Sequence, residues 1–70
     1  MSTLRSKFGQ RLKHLRQARG FTQEELAEAL NMSVEFVSFM ERGVNGPSFD
    51  TLEKLAAILQ VEVKELFDFD

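Results

Sequence analysis

The chain has 70 residues, 43% hydrophobic and 29% charged, with a net charge of −2, a pI near 5.3 and no cysteine. One domain over residues 1–70 is the expectation, with a core near the lower size limit, and the composition excludes disulfides, thiolate metal sites and a disordered tail. The basic N-terminus has no apolar run behind it and no segment reaches bilayer length, so the expected setting is the cytoplasm, without a membrane.

Leu4, Phe8, Leu12, Leu15 and Ala18 are spaced four, four, three and three apart, which predicts an amphipathic first helix closed at Gly20. Thr22 and Glu25 have the spacing of a capping box, with Phe21 and Leu26 placed as a hydrophobic staple. Leu26, Ala27, Ala29 and Leu30 continue a second helix that stops at Asn31, a residue tolerant of left-handed geometry. Ser33 caps a third helix, stapled by Met32 and Val37 and ended by Gly43. Helices this short are marginal alone and must pack on something. A compact helix–turn–helix fits best, and the second helix of that motif enters the DNA major groove.

Val44-Asn45-Gly46-Pro47 reads as a loop. Asn-Gly can mark a hairpin, but its flanks here are helical in period. Ser48 or Asp50 caps a fourth helix carrying Leu52, Leu55, Ala56, Ile58 and Leu59. After a break near residues 60–62, Val63, Leu66 and Phe67 form a last apolar turn, giving an all-α fold of five helices.

Charge is unevenly placed. Residues 1–20 hold Arg5, Lys7, Arg11, Lys13, Arg16 and Arg19 and no acid, whereas all eleven acidic residues follow. A basic face on phosphate with an acidic far side is one reading, and a solvated helix face is the other. On the third helix, Ser33, Val37, Met40 and Glu41 fall toward the core by a period of 3.6. Val34, Glu35, Ser38 and Arg42 fall opposite, with Phe36 and Phe39 as flanks. Packing accounts for Phe36, while Phe39 is divided between packing and base contact.

With these residues in order, the chain resembles the Cro/C1-type helix–turn–helix family, also called the xenobiotic-response-element type. The resemblance runs through Gly9-x-Arg11-Leu12, Leu15-Arg16-x-x-Arg19-Gly20, Thr22-Gln23-x-x-Leu26-Ala27, Ser38-x-x-Glu41-Arg42-Gly43, Pro47-Ser48, Leu52 and Leu66-Phe67. No single piece is specific; their order and spacing are. Asn31 stands where the family usually has glycine, and Glu62 is a poorer cap than the family's usual last-helix start. The resemblance implies a lambda-repressor-like five-helix domain that binds double-stranded DNA, usually as a homodimer on a palindrome. It further implies that Gln23 contacts phosphate at a helix start and that Arg16 and Glu41 form a partly buried, architectural ion pair. Carried over residue by residue, the DNA-binding set is Gln23, Ser33, Val34, Glu35, Ser38, Phe39, Arg42 and Asn45.

A domain without a second reading element gains from two-fold symmetry, and the apolar cluster Leu66, Phe67 and Phe69 is the expected dimer surface, the other reading being that Leu66 and Phe67 cover the core and leave only Phe69 exposed. The leading expectation is a sequence-specific transcription regulator, most simply a repressor. The alternative is a protein-interaction module that kept the fold without reading DNA. Placement of Arg11, Arg19 and Arg42 on the side of the third helix favours DNA, and placement opposite it favours the alternative. No nucleophile–base pair, metal cluster or phosphate loop suggests an enzyme, and neither a cofactor nor a small-molecule ligand is expected. His14, the lone histidine, reads as a surface residue.

Overall fold

The computed structural model describes residues 3–69. Helix α1 spans Leu4–Ala18, α2 Gln23–Leu30, α3 Val34–Glu41 and α4 Phe49–Leu59, followed by a 3-10 turn at Val63–Phe67. Each α-helix opens on a hydroxyl cap: the Thr3, Thr22, Ser33 and Ser48 side chains accept from the amides of Ser6, Glu25, Phe36 and Thr51. At α2 the capping box is complete, with the Thr22 amide donating back to Glu25 Oε1 at 2.8 Å. Of the two residues considered for starting α4, Ser48 is the cap.

The predicted fifth helix is instead a 3-10 turn. Five residues are too few for a run of i→i−4 bonds to outweigh the tighter i→i−3 closure, and the Glu65 amide donates to the Glu62 carbonyl at 2.9 Å. The core is shared by all five elements: Phe8, Leu12 and Leu15 from α1, Leu26, Ala27 and Leu30 from α2, Val37 and Met40 from α3, four residues of α4, and Leu66. Leu4 and Ala18, at the two ends of the predicted stripe, remain outside it.

Helix α1 lies across the C-terminal half of α3, and Gly9 permits the close approach. A Cβ at Gly9 would stand 2.4 Å from the Met40 carbonyl oxygen. The turn after α3 is set by Gly43, whose φ is 76° and where a Cβ would lie 2.8 Å from the Ser6 Cα.

Asn31 and Gln60 end α2 and α4 in left-handed geometry, at φ of 58° and 59°. Asparagine accommodates this readily, glutamine less so. Gln60→Gly is therefore expected to raise stability by about 0.5–1 kcal/mol. The Arg19 side chain meets only the backbone carbonyl of Gln60, at 3.2 Å, and would keep that bond. A thermal melt that stays unchanged or falls would contradict this.

Candidate nucleic-acid interface

The inner side of α3 determines what its outer side can offer. Val37 and Met40 are fully buried, and Glu41 is 8% exposed. A carboxylate so placed needs a partner. Arg16 supplies it in a two-pronged pair, Nε to Glu41 Oε2 at 2.6 Å and Nη2 to Oε1 at 3.1 Å. The same guanidinium donates to the Phe21 carbonyl at 2.7 Å. One side chain thus ties α1 to the end of α3 and to the residue leading into α2.

Gln23 joins this network. Its Nε2 donates to Glu41 Oε1 at 3.0 Å, so the head of the side chain is held at the α2 N-terminus. One Nε2 hydrogen and the amide oxygen are not engaged by that bond. The helix-start position read from sequence is thereby combined with a tether to the ion pair.

Outside, Glu35 and Arg42 are exposed, and Ser38 and Phe39 are half-buried. The Arg42 guanidinium carbon sits 5.1 Å from the centre of the Phe39 ring. This cation–π stacking restrains both groups at the end of α3. Asn45 is exposed in the following loop, and its amide donates to the Phe39 carbonyl at 3.4 Å.

Two residues depart from the faces assigned by periodicity. Ser33 is exposed, because an N-cap residue lies outside the helical period. Val34, the first residue of α3, packs partly against the core together with Phe36. Phe39, by contrast, is not among the core-packed side chains.

The basic residues divide. Arg11 Nε donates to the Glu65 carbonyl at 2.8 Å, and Arg19 donates to the Gln60 carbonyl. Both guanidiniums are engaged on the last segments of the chain rather than presented beside α3. Lys13, outside the residues that carry the family resemblance, is exposed and lies four residues after Gly9 and three before Arg16, both of which meet α3. That spacing is visible in the sequence once Gly9 and Arg16 are known to face α3.

Leu66 is completely buried in the core and therefore offers nothing to a dimer surface, which corrects the expected Leu66, Phe67 and Phe69 cluster. Phe67 and Phe69 remain more than one-third exposed and lie edge to face, with ring centres 6.2 Å apart. No described helix is long and apolar enough to cross a membrane.

A helix–turn–helix family model matches residues 12–66. Control protein C.BamHI of Bacillus amyloliquefaciens is 33% identical over 69 residues, covering 97% of this chain and 85% of that protein. The regulator SinR of Bacillus subtilis is 39% identical over 61 residues, covering 86% of this chain and 55% of SinR. A crystal structure of SinR in complex with DNA superposes with a TM-score of 0.80 over 87% of this chain and 98% of that one, at 39% identity. The restriction-modification controller protein C.AhdI of Aeromonas hydrophila superposes with a TM-score of 0.85 at 43% identity, over 90% of this chain and 96% of that one. Several curated relatives are longer, and the chain spans about half of their length (48%, 55% and 40%). With the capped α2–turn–α3 unit, the Arg16–Glu41 pair and matches that extend across nearly its whole length, the chain belongs to the Cro/C1-type helix–turn–helix family.

Proposed function

We propose that the chain is a transcription regulator that reads double-stranded DNA through α3, acting as a repressor and as a homodimer on a palindromic operator. The observation that carries this reading is the division of labour on α3. Its inner side is locked to α1 by Gly9 and the Arg16–Glu41 pair, while Glu35, Ser38, Phe39 and Arg42 remain accessible on a rigid support. A neighbour of the same fold is in complex with DNA, and another is described as a restriction-modification controller.

In this reading Arg42 donates to guanine or phosphate, Glu35 accepts from a cytosine amino group, and Phe39 meets a thymine methyl. Gln23 donates its remaining amide hydrogen to a phosphate at the α2 N-terminus, where the helix dipole assists. Ser33, Val34 and Asn45 line the approach, and Lys13 adds a cation beside α3. Phe67 and Phe69 belong to the surface where two copies meet.

The engagement of Arg11 and Arg19 with the last segments favours the alternative, an interaction module whose acidic and aromatic α3 face meets a protein. Arg42 and Lys13 favour DNA. Selection from a pool of genomic fragments, followed by titration at several salt concentrations, decides between them. A palindrome whose affinity falls steeply with salt is expected. Phe39→Ala or Glu35→Ala should then lose about 1–3 kcal/mol of discrimination at its own base pair. Lys13→Ala should weaken all sites alike and reduce the salt slope by about 1. A selection that enriches no sequence near physiological salt would remove DNA reading and leave the protein-partner alternative.

A further inference from the structure

Phe49 is the most conspicuous side chain that the DNA-reading face leaves unexplained. It stands at the first position of α4 and is 85% exposed. Nothing about helix initiation requires a phenylalanine there. Phe49 itself forms one wall of a hollow of about 240 Å³, whose other walls are Leu4, Phe8, Leu52 and Phe67 and whose edge is Arg5, Gly46 and Pro47. The hollow is bridged from beneath by the Phe8–Phe67 ring pair, with centres 5.4 Å apart. A closed apolar cavity of about 150 Å³ is enough to hold a benzene ring, so the hollow has room for a phenyl group.

We propose that Phe49 of each copy seats in this hollow of a second copy, making α4's N-terminus and the start of α1 the centre of a two-fold interface. This rests on the homodimer reading and relocates its anchor from the end of the chain to Phe49. A protruding ring next to a receptive hollow is self-complementary: one two-fold operation fills both hollows at once. Area supports a second copy as the occupant. Phe49, Leu4, Phe67 and Phe69 together expose on the order of 400 Å² of apolar surface per copy, given that a phenylalanine buries about 150–250 Å². Two copies with a polar rim then reach the ~1,000 Å² of the smallest specific interfaces. Charge is compatible as well, since Arg5 edges the hollow and Asp50 follows Phe49 in the same first turn. The surface is continuous through Phe67 with Phe69, so the last residues contribute to the rim.

Sedimentation velocity without DNA tests the interface separately from DNA reading. The wild-type chain is expected to sediment as a dimer at tens of micromolar. Phe49→Ala removes both anchors of the symmetric interface and should raise the dimer dissociation constant by well over about 30-fold, the effect of losing even one, while circular dichroism, and the melting temperature at concentrations where both chains are monomeric, stay unchanged. Leu4→Glu, on the opposing wall, should dissociate the dimer in the same way. A wild-type dimer that Phe49→Ala leaves intact, or that only Phe69→Ala disrupts, overturns the Phe49 anchor and leaves the homodimer reading standing. A wild-type monomer at several hundred micromolar overturns both.

Discussion

Glu41→Ala is expected to lose about 3–5 kcal/mol of folding stability, the usual consequence of leaving one member of a buried ion pair without its partner. For a domain of this size the whole stability is roughly 4–10 kcal/mol, at about 0.05–0.15 kcal/mol per residue. The single change therefore brings the chain close to unfolding. The reason is positional: Arg16 is 7% exposed, and its guanidinium has Glu41 and the Phe21 carbonyl as neighbours. Without Glu41 the charge remains buried and loses its counter-ion. The pair is not a large net source of stability, however, because removing two charges from water offsets most of their attraction. The double variant Arg16→Met with Glu41→Leu should consequently lose less than Glu41→Ala alone. Chemical denaturation of the singles and the double measures this directly. If Glu41→Ala costs under about 1 kcal/mol, the site is not buried as the structure places it. The same carboxylate also holds Gln23, so a folded Glu41 variant should bind DNA with a less defined phosphate contact.

Gly9→Ala should be the next most damaging, by about 2–3 kcal/mol, although helix propensity alone argues the opposite sign. In the interior of an exposed helix, alanine for glycine gains about 1 kcal/mol. At Gly9 the added methyl would lie 2.4 Å from the Met40 oxygen and 2.6 Å from the Glu41 oxygen. Both are backbone atoms of α3, which cannot rotate away as a side chain does. Helices α1 and α3 must then separate, and overpacking of this kind costs about 1–3 kcal/mol or more. Separation would also stretch the Arg16–Glu41 pair, so the loss lies at the upper end. A melting temperature equal to or above that of wild type would show that propensity wins and that the crossing is looser than described.

Much of the fold was legible because its signals are local. The Thr22 and Ser33 caps, the Thr22–Glu25 box and left-handed Asn31 depend on residues within one turn of each other and stand where the sequence indicates, whereas the Thr3 cap and the choice of Ser48 over Asp50 do not follow from it. The inward positions Leu12, Leu26, Val37, Leu55 and Leu59 followed from period 3.6 and are fully buried. Most departures lie at an element's end, Ala29, exposed within α2, being an exception. Leu4, Ala18 and Ser33 satisfy the period but lie where a helix has run past its neighbours or has not yet begun. The last segment has the apolar content of a helix but lacks the length.

Spacing along the chain carries the order and type of the four α-helices, the caps of α2 and α3 and the family resemblance, because each depends on residues close together in sequence. Packing across the fold sets which like residues do unlike things. Three phenylalanines of α3 and α4 look alike in sequence: Phe36 packs against the core, Phe39 lies under Arg42, and Phe49 stands clear of the fold. Among the arginines, Arg16 is buried with Glu41, Arg11 and Arg19 hold the last segments, and Arg42 stays beside the outer face of α3. The physical reason is that burial and charge pairing depend on what crosses a residue from elsewhere in the chain. The Gly9 crossing and the Glu65 carbonyl lie 32 and 54 positions away from their partners at Glu41 and Arg11, beyond the reach of any local pattern.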